Sequence, residues 1–309
     1  MNRYLYAISI SALFAGNFFL VASVPDSFFA NNEPSSAFLS IIPEASAASK
    51  KAKPKIVSLG GALTEIIIAM GHEKQIVGVD TTSVFPPDTV SKFTKVGYFR
   101  RLSAEGILSL EPTLIIAEEG AGPSTTIDKL KRTGVKFKII AKNNSVKGAK
   151  AQISQLGALL GKEQTAKTLN QEIDKKVAEA KTLSAKFTRK PRVLFVYARG
   201  SRVLNVAGKN TSAHAMIELA GAENAFSDVE GFKPMTSEAV IAAKPDVILM
   251  LSRGVESIGG DDKVLALPGI SLTPAGKNKK YVVMDDLKLL GFGPRLGEAI
   301  LELTKQLQN

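Results

Sequence analysis

The segment LSAEGILSLEPTLII, Leu102–Ile116, aligns without a gap to MTSEAVIAAKPDVIL, Met235–Leu249, at a constant offset of 133 residues. In each copy a short helical stretch stops at a proline, Pro112 or Pro245, and feeds an apolar run. Proline cannot continue a helix, and a short β-branched run after it reads as a buried strand. A weaker match pairs Ala69-Met70-Gly71 with Leu219-Ala220-Gly221. The two halves therefore read as copies of one βα unit, and two such copies predict two lobes with a cleft between them.

The same alternation extends outward. Lys55–Leu59, Gln75–Asp80, Thr94–Tyr98, Thr113–Ala117 and Lys136–Ala141 read as strands separated by amphipathic helices, for example Leu63, Ile66, Ile67 and Met70 on one face. The second half repeats the scheme with Arg192–Ala198, Asp246–Leu251 and Tyr281–Asp285, and Asn205–Ala207 reads as part of a small hairpin after Gly200. Strands alternating with helices imply parallel sheets covered on both faces. Between the halves, Lys162–Phe187 holds neither Gly nor Pro and spaces Ala166, Leu169, Ile173, Val177, Ala180 and Leu183 at helical intervals. At about 1.5 Å per residue this helix would run roughly 40 Å, long enough to cross two small lobes. The fold class expected is α/β, with two Rossmann-like lobes joined by one long bridging α-helix. The boundaries are an N-terminal lobe over 54–145, a bridging helical segment over 146–189 and a C-terminal lobe over 190–309.

Composition narrows the chemistry. The 309 residues include no Cys, no Trp and two His. Disulfides, thiolate zinc sites, iron–sulfur clusters and cysteine nucleophiles are excluded, and a His-rich metal site is disfavoured. A basic start at Arg3 followed by the apolar stretch Ala7–Val24 is the export-signal pattern. Cleavage after Val21-Ala22-Ser23 or after Ala45-Ser46-Ala47 fits, and the second is preferred because Lys50-Lys51-Ala52-Lys53-Pro54 reads as a mature tail. Residues 1–47 are thus expected to be a leader, and no cysteine is present to carry a lipid. The expected compartment is periplasm-like, with no stable membrane anchor. The formal charge of +11 points to an anionic partner. Scattered lysines without interleaved aromatics argue against nucleic acid.

No catalytic constellation emerges. Gly60-Gly61 follows a strand but lacks the G-x-G-x-x-G and G-x-x-x-x-G-K-[ST] spacings and reads as a tight turn. His72 reads as a helix-end cap and His214 as a first-turn residue of a helix near Thr211. After leader removal only Tyr98, Tyr197 and Tyr281 remain among tyrosines. Tyr98 and Tyr197 end strands, where open α/β sheets bind ligands, and Tyr98 has Arg100 and Arg101 beside it. A nearby cation favours a phenolate, a hard oxygen ligand suited to ferric iron. The alternative for Tyr98 is a half-buried loop aromatic.

The string Val96-Gly97-Tyr98-Phe99-Arg100-Arg101-Leu102-Ser103-Ala104-Glu105-Gly106-Ile107 resembles periplasmic hemin-binding proteins of bacterial ABC importers. So do Gly208–Ala225, Gly231–Glu238, Arg253–Gly260 and Leu290–Arg295, and the similarity spans about residues 54–307. The two-lobe, single-helix-bridge class is shared with siderophore and cobalamin binders. The resemblance implies that Tyr98 is the axial ligand of heme b, carried as transported ligand. It implies that Arg100 supports the phenolate and that Arg253 reaches the heme from the second lobe, with Arg101, Tyr197 and His214 as weaker pocket candidates. Some relatives carry a second-lobe His ligand; here Tyr197–Ser201 offers Arg199 instead. Glu105 and Glu238, equivalent in the repeat, would dock onto arginines of an ABC permease working with its ATPase subunit. A monomeric carrier with little lobe motion is expected. The competing readings are a ferric-siderophore or corrinoid carrier and an exported chelatase-like enzyme.

Overall fold

Strand β1, Ile56–Leu59, is buried at every position, as a central strand covered on both faces must be. The computed structural model of the chain describes residues 53–308, so the leader read over 1–47 lies outside the described residues. From β1 the chain runs through α1 (Gly61–Ala69), β2 (Ile76–Val79), α2 (Pro87–Val90), β3 (Thr94–Lys95), β4 (Gly97–Tyr98), β5 (Arg101–Leu102), α3 (Ala104–Leu108), β6 (Leu114–Glu118), α4 (Ser124–Lys131) and β7 (Lys136–Ile140). Two helices follow, α5 (Val146–Leu160) and α6 (Glu163–Ser184). The second half is β8 (Arg192–Ala198), β9 (Leu204–Ala207), α7 (Ser212–Leu219), β10 (Glu223–Asn224), β11 (Phe232–Pro234), α8 (Ser237–Ala243), β12 (Val247–Leu251), α9 (Ser252–Ile258), α10 (Pro274–Lys277), β13 (Tyr281–Met284), α11 (Asp286–Leu290) and α12 (Leu296–Gln308).

The first sheet is wholly parallel in the order β3-β2-β1-β6-β7. The second has the order β11-β9-β8-β12-β13, with β10 added on β8. Here β8, β12 and β13 repeat the parallel arrangement of β1, β6 and β7, while β9 pairs antiparallel with both β8 and β11. The repeat reaches into the backbone: Glu111 and Lys244, 133 residues apart, both take left-handed φ values, 49° and 45°, just before their prolines.

Side-chain alternation splits each sheet between two cores. On β8, Val193 and Phe195 face one core while Leu194 and Val196 face another; on β6, Leu114 and Ile116 separate from Ile115 and Ala117 in the same way. The inner faces of both sheets share one continuous core, completed by Ile153 and Leu156 of α5, Ile173 and Val177 of α6, and Ile300 and Leu303 of α12. Helix α12 approaches α6 so closely that a Cβ on Gly297 would stand 3.0 Å from the Ile173 backbone.

Two expectations need correction. The bridging helix ends at Ser184, three residues short of Phe187, and its 22 residues span about 33 Å rather than 40 Å. The strand read over Thr94–Tyr98 is broken at Gly97, whose φ of 109° turns the chain into a separate two-stranded hairpin, β4–β5.

Among the described residues, one ion pair ties the lobes. Arg295 Nε donates to Glu65 Oε1 at 2.6 Å and its Nη2 to Oε2 at 3.1 Å, while its guanidinium carbon lies 3.6 Å from the Phe85 ring centre. Glu65 is 5% exposed, and burial pushes its carboxyl above the ordinary range against the pull of Arg295. Replacing Glu65 with Ala strands the guanidinium and should cost about 3–5 kcal/mol. Exchanging both partners for Leu and Met should restore most of the loss, as read from urea unfolding midpoints.

Candidate functional site

The C-terminal ends of the parallel strands of both sheets open into one cleft of ≈ 870 Å³ between the lobes. A smaller cavity, ≈ 300 Å³, lies around the Glu65–Arg295 pair against α6. The cleft is the candidate site because strand ends and free polar groups converge there, at the points where strand order reverses.

The first lobe shapes its wall with a buried carboxylate. Asp80 Oδ1 accepts from the Gly60 N–H at 2.8 Å and from Ser83 Oγ at 3.0 Å. Its Oδ2 accepts from the Thr82 N–H at 2.8 Å and from Thr82 Oγ1 at 2.5 Å. With φ at 132° and a Cβ that would fall 2.9 Å from Glu118 Cβ, Gly60 admits no side chain. The Gly60-Gly61 turn is thus a fixed corner of the wall.

Tyr98 stands on the β4–β5 hairpin, whose turn is Phe99-Arg100. The hairpin is tethered from both sides: the Thr81 N–H donates to Gly97 O at 2.9 Å, the Gly122 N–H to Phe99 O at 3.0 Å, and the Leu102 N–H to Gly122 O at 2.9 Å. Thr126 Oγ1 adds a bond to Leu102 O at 3.0 Å. Tyr98, Phe99 and Arg100 line the cleft, and Tyr98 is 40% exposed. Arg101 pairs with Tyr98 across the hairpin backbone, but its side chain is exposed and does not line the cleft.

The second lobe supplies Tyr197, Arg199, Val203, Phe232 and Arg253. The Tyr197 and Phe232 rings lie 5.9 Å apart. Arg199 Nε donates to the Tyr197 hydroxyl at 2.8 Å. Its guanidinium is held above its ordinary pKa chiefly by that bond, with a smaller contribution from the Tyr98 hydroxyl of the opposite lobe. Arg199 thus faces two phenols brought together from residues 99 positions apart. Sequence reasoning missed this role, although the signal was present: Tyr98-Phe99-Arg100 and Tyr197-Ala198-Arg199 share the spacing Tyr-x-Arg. The Arg253 backbone N–H donates to Asp286 Oδ1 at 3.2 Å, and burial pushes the Asp286 carboxyl up. An alcove of ≈ 440 Å³ continues behind Tyr197, Arg199 and Arg253.

His214 is elsewhere. In α7 its Nδ1 lies 3.2 Å from Asn224 Nδ2 and its Nε2 3.7 Å from Glu218 Oε2, and it does not line the cleft. Glu105 and Glu238 occupy the first turns of α3 and α8, both exposed, behind the equivalent caps Ser103 and Thr236.

Comparison with known proteins adds independent findings. Residues 56–287 match the family described as periplasmic binding protein. The periplasmic heme-binding protein RhuT from Roseiflexus sp. RS-1 is 43% identical, covering 83% of this chain and 98% of that one, with a TM-score of 0.80. The periplasmic heme-binding protein BhuT, solved in complex with two hemes, is 39% identical over 82% of this chain and 98% of its own, with a TM-score of 0.78. A vitamin B12-binding protein of Vibrio vulnificus is 26% identical, covering 75% of this chain and 81% of its own length.

Glu118, at the end of β6, lines the cleft while only 6% exposed. Burial pushes its carboxyl above the ordinary range, opposed by the charge of Lys142, 3.5 Å away. An acid with a raised folded-state pKa keeps its proton in the fold where the unfolded chain has released it, so stability falls as pH rises through the raised value. Glu118→Gln cannot ionise and should lose that decline. Its unfolding free energy relative to the parent should therefore improve as pH rises above the ordinary glutamate range, about pH 4; a pH-independent difference in urea unfolding would contradict the assignment.

Proposed function

This chain belongs to the periplasmic binding protein family, and we propose that within it the protein is a heme carrier, taking heme b in the inter-lobe cleft and handing it to an ABC-type permease. The observation that carries the reading is where apolar surface is left open. Of six large apolar side chains exposed among the described residues, three, Tyr98, Val203 and Phe232, line this one cleft. Exposed apolar surface gathered in a concave site marks a ligand's place. The relatives named for heme support the choice of ligand.

Heme is a flat apolar disc with two carboxylates and a ferric iron. The aromatic and aliphatic walls fit the disc, and the cations Arg100, Arg199 and Arg253 fit the anionic edge. Tyr98 is proposed as the axial ligand. Its tethered hairpin fixes the phenol's approach, and a phenolic oxygen is the kind of hard donor that ferric iron prefers. Arg199 bonds to Tyr197 on the second lobe, while Arg100 lines the cleft beside Tyr98. Tyr197 faces the same space and is proposed as a wall residue. A single phenolate bond keeps binding reversible, as delivery requires. The lobes move little in this reading, because one core runs through both and through α6.

Hemin added to the protein should give a ferric high-spin, tyrosinate-type visible spectrum, with heme recovered intact after prolonged incubation. Tyr98→Ala should abolish that spectrum; an unchanged spectrum and affinity would overturn the ligand assignment. The corrinoid reading, favoured by the vitamin B12-binding relative, predicts instead that cobalamin displaces bound hemin.

Glu105 and Glu238 are proposed as the permease contacts, one per lobe on equivalent capped helices. Reversing both charges to Lys should leave hemin affinity within about twofold, since neither lines the cleft. Heme-dependent growth of cells relying on this carrier should nevertheless fail; undiminished growth would remove them from the interface. Export to the periplasm as an unanchored monomer completes the proposal.

A further inference from the structure

Glu118 and Lys142 form a unit on the first-lobe wall that the reading above leaves without a role. The Glu118 side chain is 7% exposed, and its Oε1 meets no hydrogen-bond donor among the described residues. Lys142 Nζ stands 3.5 Å from that oxygen, beyond a well-formed hydrogen bond, and the lysine side chain is 33% exposed. The two come from neighbouring strands, Glu118 closing β6 and Lys142 following β7, and both line the cleft. The root of the lysine is fixed as well, because its backbone N–H donates to Glu119 Oε2 at 3.2 Å.

A buried carboxylate with an unsatisfied oxygen is costly to keep. What it does physically here is hold an ammonium over the cleft. That ammonium has three donors, and a single carboxylate oxygen at 3.5 Å satisfies none of them fully. A partly exposed lysine with donors to spare, at the margin of an apolar cleft, is complementary to a ligand carboxylate.

We propose that Lys142, positioned by Glu118, binds a propionate carboxylate of the heme from the first lobe. The inference rests on the heme reading and adds to the arginines a separate anchor beside β7, the edge strand of the first sheet. Glu118 acts through the lysine and is a positioning residue.

The test compares hemin with its propionate dimethyl ester, which keeps the ring and iron but carries no carboxylates. Wild-type protein should bind hemin more tightly than the ester. Lys142→Met should lose about tenfold in hemin affinity, the worth of one charge-assisted hydrogen bond, with ester affinity unchanged. Lys142→Arg should recover most of the loss. Because the methionine leaves Glu118 uncompensated, Lys142→Met/Glu118→Gln provides a second variant without a stranded charge, and it should show the same narrowed preference for hemin. Equal losses for both ligands, or no loss for hemin, would overturn the role of Lys142 while leaving heme binding intact. A wild-type protein that binds neither ligand would overturn the heme reading and this inference with it.

Discussion

The cleft exists in one shape because Glu65 and Arg295 meet across the lobes in a buried, bidentate ion pair. Two charges taken out of water repay their desolvation only when geometry is good and partners are complete. The guanidinium therefore also stacks on Phe85, and Asp285 lies 3.5 Å from it. Glu65 sits on α1, directly after the Gly60-Gly61 turn, and Arg295 immediately precedes α12. The pair thus fixes the wall-forming turn of one lobe relative to the helix that packs on α6. Around it, α5, α6, α12 and the inner faces of both sheets bury a single apolar core. Opening the lobes would mean breaking that core.

The two walls of the slot are built by different means. The first lobe uses backbone: Asp80 gathers the turns after β1 and β2, and a tethered hairpin carries Tyr98 outward. The second lobe uses side chains: Tyr197 and Phe232 pack as neighbours, and Arg199 bonds to Tyr197 while facing Tyr98. A rigid phenol opposite an aromatic and cationic face suits a flat, partly anionic ligand. Carboxylates on both walls, Glu118 and Asp286, limit how positive the slot becomes, since each lies beside a basic residue.

The repeat explains the outside of the molecule as it does the inside. Ser103 and Thr236 cap α3 and α8 in the same manner, Glu105 and Glu238 follow two residues later, and Glu111 and Lys244 end each unit in the same left-handed turn. Both lobes therefore present equivalent acidic helix starts. The second lobe departs from the first where β9 runs against its neighbours β8 and β11, and β11 brings Phe232 to the cleft.

Much of this was legible in the chain because it depends on local periodicity. Strand–helix alternation, the 133-residue repeat, the Gly- and Pro-free bridging helix and the scarcity of alternatives to Tyr98 all follow from residue type and spacing. What only the tertiary structure decided are encounters between residues far apart in sequence. Glu65 meets Arg295 across 230 positions. Arg199, rather than a neighbour of Tyr98, is the guanidinium bonded to a phenol, and His214 is directed to Asn224 and Glu218 away from the cleft. Even the local misreading at Thr94–Tyr98 has a long-range cause, since the break at Gly97 is held by bonds to Thr81 and Gly122. Periodicity reports which face of an element is buried; it carries no information about which distant element covers that face, and the site is made of such pairings.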